Sequence, residues 1–396
     1  MPARPLALLA LAAALRAAAP APPPQALLAF VAHPGGAPGV NDRIYLSSAD
    51  GTGVRRLTQN DFQEGAPTWS PSGDRITFEG YTQQVGVYIV DVVDGAAANQ
   101  RRLSPSPGFD VRPSFSPDGT RLVYCRILDP NAPGVPPTEI RVMSAADGSG
   151  SAVILPTGPP PGTFNIEPRW GGPDNDTIVF FANRVPYRQL CFTMKGDGSA
   201  VTQITNITCG DPFWSPDGRR ISFGSNVEGG GKLNIYTMAP DGSDIVQLTH
   251  YDVPWESGDT SWSPDGRTVA FEADKGGNGQ SDPNVPAEIR FVNSDGSGGE
   301  TTAHVNCSSV GCSPRFQPRP VAAAAAAVVS DDVPHARRAQ AGPWDAALHL
   351  LPAERVAEFD ARCLDGSAPG YYIRRAEGSV KWKFHVQGGG WRVPLY

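Results

Sequence analysis

The chain has 396 residues and a net charge of −7, enough for one large domain with a small appendix. The acidic balance lies in the central part and shows no basic stripe, which argues against nucleic acid as a partner. Glycine (44) and proline (40) are abundant, as expected of a chain built from many tight turns.

Residues 1–24 place Arg4 before an apolar Leu/Ala run and small residues from Ala17 to Ala21. That is the layout of a secretory signal peptide, too short to span a membrane as a mature helix. The competing reading is an Ala-rich leader without structure, and Arg16 behind the apolar run favours it. Export is the preferred expectation, so the protein is read as secreted.

From residue 25 to 320 a phrase recurs. It reads Trp69-Ser70-Pro71-Ser72-Gly73, Phe115-Ser116-Pro117-Asp118-Gly119, Trp214-Ser215-Pro216-Asp217-Gly218 and Trp262-Ser263-Pro264-Asp265-Gly266. A degenerate copy starts at Trp170, where Gly171-Gly172-Pro173-Asp174-Asn175-Asp176 replaces the usual turn and puts it in doubt. Phe316-Gln317-Pro318 begins one last copy. The aromatics are 46, 55, 44, 48 and 54 residues apart, a period that marks propeller blades of four antiparallel strands.

Each repeat follows one grammar. An aromatic strand meets a Pro/Gly turn, and a period-two strand such as Arg220-Ile221-Ser222-Phe223 follows. A third strand such as Leu233 to Met238 leads to an Asp-Gly-Ser turn and an outer strand, Val246 to Thr249. The N-terminal stretch supplies only second, third and fourth strands (Leu27 to Ala32, Arg43 to Leu46, Val54 to Thr58). The lone first strand, Ser313 to Phe316, comes from the far end. Together they predict an all-β, six-bladed propeller closed by N- and C-terminal strands. The motif set resembles the TolB-like propeller repeats, a likeness that speaks for fold and hardly for function.

Inner strands line the channel of a propeller. Three residues before each aromatic stand Ala66, Arg112, Glu167, Asp211, Asp259 and Ser313; five before stand Glu64, Asp110 and Asn165. Glu64, Asp110, Arg112, Glu167, Asp211 and Asp259 are therefore channel-mouth candidates for a cation or a basic peptide segment. The bland alternative is solvated strand ends that accept backbone hydrogen bonds.

The propeller's histidines, His33, His250 and His304, are scattered, and no Cys-x-x-Cys or His-x-x-x-His spacing exists. No metal or cofactor is expected. The resemblance bears on this too, since TolB-like propellers include lyases with several histidine metal ligands, which this chain lacks.

Six cysteines are compatible with disulfides outside the cytosol. Cys307 with Cys312 is the first expected pair, Cys191 with Cys209 the second, and Cys125 reads as a small core hydrophobe. Asn175-Asp176-Thr177, Asn206-Ile207-Thr208 and Asn306-Cys307-Ser308 are glycosylation sequons, a triplet that also arises by chance.

Residues 321–343 form an Ala-rich linker with a basic stretch at Arg337-Arg338. Beyond it, strands are expected at Ala347 to Leu351, Gly370 to Arg375 and Val380 to Val386. Cys363-Leu364-Asp365-Gly366-Ser367-Ala368-Pro369-Gly370-Tyr371-Tyr372, followed by Trp382 to Trp391, resembles the opening of the pectin acetylesterase/Notum family. Those are secreted serine carboxylesterases of α/β-hydrolase fold. The resemblance implies oxyanion-hole N–H groups at Gly390 and Trp391. Gln387 and Arg392 depart from the family pattern, and no Gly-x-Ser-x-Gly elbow or later Asp and His follows. The segment 344–396 is accordingly read as a truncated hydrolase-like appendix. The expected function is a secreted, non-catalytic module binding a protein, peptide or glycan. The alternative is a propeller fused to a carboxylesterase whose catalytic serine, Asp and His are missing here.

Overall fold

The computed structural model describes residues 27–32, 42–132, 136–157, 163–185, 188–227, 233–251, 255–275, 287–303, 305, 307, 312–318, 371–375 and 382–386. The leader, the linker, His33, His304, Asn306, Cys363, Gly390 and Trp391 lie outside these residues.

Local turn chemistry builds each blade. In the fifth, Gly218 N donates to Ser215 O at 2.9 Å, and Arg220 N donates to Ser215 Oγ at 2.9 Å. Asp217 Oδ1 accepts from Ser215 Oγ at 2.7 Å and from Arg219 N at 3.1 Å. Gly218 has φ +67°, and a Cβ there would stand 2.4 Å from the backbone of Gly172 in the preceding blade. Glycine is thus required twice over, by its left-handed backbone and by close approach.

The degenerate fourth copy turns as well. Asn175 takes the left-handed position at φ +56°, and its N donates to Gly172 O at 3.2 Å. Asparagine tolerates this conformation better than most residues, so the doubt about that turn is removed.

The fourth strands are shorter than expected. Blade one has only Arg55–Arg56 instead of Val54 to Thr58, and blade five only Val246–Gln247. A threonine just past the fourth strand, after Leu248 in blade five and Ile204 in blade four, leaves the ladder to bond the third strand. Thr249 Oγ1 accepts from Ile235 N at 2.9 Å, and Thr205 Oγ1 accepts from Cys191 N at 2.9 Å. Each bond satisfies a strand-edge donor that would otherwise be orphaned.

All regular elements among the described residues are strands. Blade two is β4 (Gln63–Trp69), β5 (Arg75–Tyr81), β6 (Val85–Val93) and β7 (Ala96–Arg102). Blade three is β8 (Phe109–Phe115), β9 (Arg121–Ile127), β10 (Thr138–Ser144) and β11 (Ala152–Leu155). Blade four is β12 (Asn165–Gly171), β13 (Thr177–Val185), β14 (Arg188–Lys195) and β15 (Thr202–Gln203). Blade five is β16 (Gly210–Trp214), β17 (Ile221–Ser225), β18 (Asn234–Met238) and β19 (Val246–Gln247). Blade six is β20 (Trp255–Trp262), β21 (Thr268–Lys275), β22 (Glu288–Asn293) and β23 (Thr301–Ala303).

Blade one joins both ends of the repeat array: β24 (Arg315–Phe316) pairs with β1 (Leu27–Ala32), then come β2 (Arg43–Ser48) and β3 (Arg55–Arg56). Leu28 faces Phe316 and Ala29 faces Arg315. Val31 N donates to Cys312 O at 2.7 Å and Gln317 N to Leu27 O at 2.9 Å, which extends the seam on both sides.

The apolar core is divided among the seams between sheets. Leu28, Phe30, Phe291 and Phe316 fill the closing seam of blades six and one, and comparable buried clusters fill the other five. Indole N–H groups tie neighbouring blades together. Trp214 donates to Arg169 O at 3.2 Å, Trp262 to Phe213 O at 3.2 Å, and Trp69 to Arg315 O at 3.1 Å across the closure. Buried Trp N–H groups need such partners, so these three tryptophans both fill a seam and fix it, whereas Trp170, Phe115 and Phe316 only fill theirs.

Cys191 and Cys209 are disulfide-bonded with Cα atoms 5.5 Å apart, and Cys307 and Cys312 with Cα atoms 5.2 Å apart. Both separations fall in the ordinary disulfide range. Cys125 is a buried free thiol in the seam of blades three and four, and burial pushes its pKa up.

The chain divides into two compact units, Met1–Ala324 and Ala325–Tyr396. In the second, β25 (Tyr371–Arg375) pairs antiparallel with β26 (Trp382–Val386), Tyr371 facing Val386. The strand expected at Ala347 to Leu351 lies outside the described residues.

Candidate functional site

The inner strands are not regular. In β4, Gly65 faces Glu79 and Thr68 faces Thr77, so Ala66 and Pro67 together oppose Phe78. The same bulge recurs in β8, β12, β16 and β20, opposite Tyr124, Phe180, Phe223 and Phe271. Its first residue has positive φ in each: Ala66 (43°), Arg112 (57°), Glu167 (54°), Asp211 (49°) and Asp259 (47°), with Ser313 (42°) at the matching place before β24. Left-handed backbone costs a non-glycine residue on the order of 1–2 kcal/mol. Because alanine and serine adopt it too, the strain belongs to the architecture. The charged side chains are what the sequence adds.

The bulge gathers four charged side chains from four blades. Oxygen atoms of Glu167, Asp211 and Asp259 all lie within 4.8 Å of one another. Arg112 Nε is 2.9 Å from Glu167 Oε1 and 3.6 Å from Glu79 Oε1, and Arg112 N donates to Glu79 Oε1 at 2.7 Å. Arg315 Nη2 donates to Asp259 Oδ1 at 2.8 Å, and Ser313 Oγ donates to Asp259 Oδ2 at 2.9 Å. Arg169 Nη2 is 3.4 Å from Glu167 Oε2. The guanidinium groups of Arg169 and Arg315 both lie over the Phe213 ring, at 5.6 and 5.3 Å from its centroid.

These contacts divide the acids. Burial opposes the charge of Asp259, but Arg315 and Arg112 outweigh it and hold the carboxyl well below the usual range. Asp211 has no arginine at ion-pair distance among the described residues. Burial, then the Glu167 and Asp259 charges, raise its pKa well above the ordinary value, and a hydrogen bond to Glu167 adds to the shift. Asp211 is thus the carboxyl that its surroundings push toward the protonated form. Burial opposes the charge of Arg112, but Glu167 and Glu79, followed by Asp259, outweigh it and hold the guanidinium cationic.

The oxygen spacing would suit a small cation. Arg112 and Arg315 already pair with Glu167 and Asp259, so Asp211 is the one carboxyl of the three without an arginine partner.

Glu64 and Asp110 do not join this cluster. Glu64 is buried, accepts from Ile44 N at 2.9 Å, and bonds Thr58 and Asn60; burial raises its pKa. Asp110 is fully buried in a two-pronged pair with Arg126, at 2.7 and 2.8 Å. Asn165 Oδ1 accepts from Arg184 at 3.0 Å. Asp110 and Asn165 fasten the inner strand to its neighbour in the same blade, whereas Glu64 fastens β4 to blade one.

Glu79, Arg169, Glu272 and Arg315 belong to the network but were not foreseen. Glu272 Oε2 accepts from Cys312 N at 2.6 Å and Ser313 N at 3.2 Å, the role Glu79 plays at Arg112. A signal for the bulge was present: Pro67, Pro113, Pro168, Pro212 and Pro314 each follow a bulge residue. Proline inside a strand marks an irregular ladder.

Comparison with known proteins adds the following. Residues 343–394 match the pectinacetylesterase family. The fold is similar to TolB from Acinetobacter baumannii, with 17% identity, TM-score 0.57, and 74% of this chain and 67% of that one covered. It is also similar to a putative TolB from Agrobacterium tumefaciens, with 17% identity, TM-score 0.52, and 74% and 99% covered. A chain of the nidogen/laminin complex matches at 8% identity and TM-score 0.51, with 74% and 98% covered. These likenesses establish a TolB-like six-bladed propeller followed by a pectin acetylesterase-like segment. No helix among the described residues is long and apolar enough to cross a membrane.

Proposed function

We propose that the propeller is an exported, non-catalytic binding module whose channel cluster receives a lysine or arginine side chain of a protein or peptide partner. The observation that carries this reading is Asp211, a carboxyl gathered with two others but lacking the arginine that each of its neighbours has. An incoming ammonium or guanidinium would take that place, displace the proton and complete the alternation of charge. A similar fold within the nidogen/laminin complex is compatible with a protein partner.

The test is calorimetric titration of the full chain with synthetic peptides carrying single lysine or arginine residues between neutral ones. Binding should weaken about tenfold, or about 1.4 kcal/mol, in Asp211→Asn. Affinity should rise with pH, because only the ionised Asp211 pairs with a cation. Failure of every peptide to bind, or equal binding by the variant, would refute the reading.

A second reading rests on the match at 343–394: the propeller accompanies a carboxylesterase, with Gly390 and Trp391 as oxyanion donors. Sequencing the transcript past the Tyr396 codon tests it. An in-frame Gly-x-Ser-x-Gly with a later Asp and His supports it; a stop codon there removes it.

A further inference from the structure

The connection from β15 to β16 runs from the outer edge of blade four to the inner strand of blade five and carries Asn206-Ile207-Thr208-Cys209. Asn206 is exposed and outside any strand. Its Oδ1 accepts from Gln203 Nε2 at 3.1 Å, while its Nδ2 has no hydrogen-bond partner among the described residues. Thr208 is also outside any strand, and its hydroxyl is equally unengaged among those residues.

The sequon at Asn175 contrasts with this. Thr177 begins β13, pairs with Gly171 and Lys195, and donates its hydroxyl to Asp174 Oδ1 at 2.8 Å. An independent observation sits one residue past Thr208, where Cys209 is bonded to Cys191. Such a bond persists in the oxidising compartments outside the cytosol, where asparagine sequons also acquire glycans.

We propose that Asn206 is a site of N-linked glycosylation. The co-reactant is an oligosaccharide joined to a lipid diphosphate. The Asn206 Nδ2 forms a bond to the anomeric carbon of the first sugar and gives up one proton. The bond from that carbon to the diphosphate oxygen breaks, and the lipid diphosphate leaves with the electron pair. The glycan stands on the face of the disc where outer strands return to inner ones, the end at which Gly210 and Asp211 begin β16. The assignment rests on export, and not on peptide binding at the channel.

The full chain, with its own N-terminus, is expressed in cultured cells that N-glycosylate secreted proteins. Protein from the medium is treated with peptide N-glycosidase in heavy-oxygen water and examined by peptide mass spectrometry. The peptide containing Asn206 should carry a heavy-oxygen aspartate in most molecules. Asn206→Gln and Thr208→Ala should each abolish that mark, whereas Thr208→Ser should keep it. Secreted protein with Asn206 unmodified overturns this proposal and leaves export standing. A chain retained in the cytosol, with Cys191 and Cys209 reduced, overturns both.

Discussion

Two neighbouring positions of the inner strand carry charge and meet opposite fates. At the first, Glu64, Asp110 and Asn165 stay in the regular part of the ladder and bond within or beside their own blade. At the second, two residues on, the bulge turns Arg112, Glu167, Asp211 and Asp259 toward one another across blades. Residue type is similar at both. Backbone conformation decides whether a carboxylate becomes a fastener or part of a shared electrostatic cluster.

Removing a cation should separate the two roles most sharply. Arg315 is almost wholly buried beside Asp259 and also spans the closing seam. Arg315→Met should cost about 3–5 kcal/mol in denaturant unfolding, because the carboxylate is left without its cation. Asp259→Asn in the same chain should recover part of that loss. Breaking a fastener should cost somewhat less. Asp110→Ala leaves a partly exposed Arg126 that water can reach, so about 2 kcal/mol is expected by the same measurement.

Asp211→Asn should act in the other direction. Its folded pKa is raised, so the wild-type carboxyl supports folding below its unfolded pKa and loses that support as pH rises through the folded value. The variant should therefore melt higher than the wild type near neutral pH and show no advantage in acid, as thermal scans across pH would reveal. The smallest effect concerns strain alone. Ala66→Gly should stabilise by up to about 1 kcal/mol, since glycine adopts the left-handed bulge freely. A loss instead would mean that the buried methyl group matters more than the backbone.

The blades were legible because their signals are local. Ser-Pro-Asp-Gly fixes its turn by its own side chains, as Ser215 and Asp217 show, and the alternation in Arg220 to Phe223 needs no distant partner. The lone strand at Phe316 was legible because the repeat was missing one. The cluster was legible only in part. Counting back from the aromatic found Arg112, Glu167, Asp211 and Asp259, but counting does not reveal a positive φ. Without it, Glu64 and Asp110 look equivalent to Asp211. Arg169 and Arg315 were hidden for a related reason: the bulge shifts the inward and outward alternation that strand reading assumes.

Ring closure has a consequence for how the molecule is made. Leu28 is synthesised early, yet its partner Phe316 leaves the ribosome after every other blade has been translated. Until then the edge of β1 and the apolar surface around Phe30 and Phe291 have no cover, so the nascent chain must be kept from pairing with another copy. A stalled ribosome that still holds Arg315 and Phe316 inside its exit tunnel should therefore carry an open, chaperone-bound arc. A nascent chain long enough to bring both out of the tunnel should close into the ring.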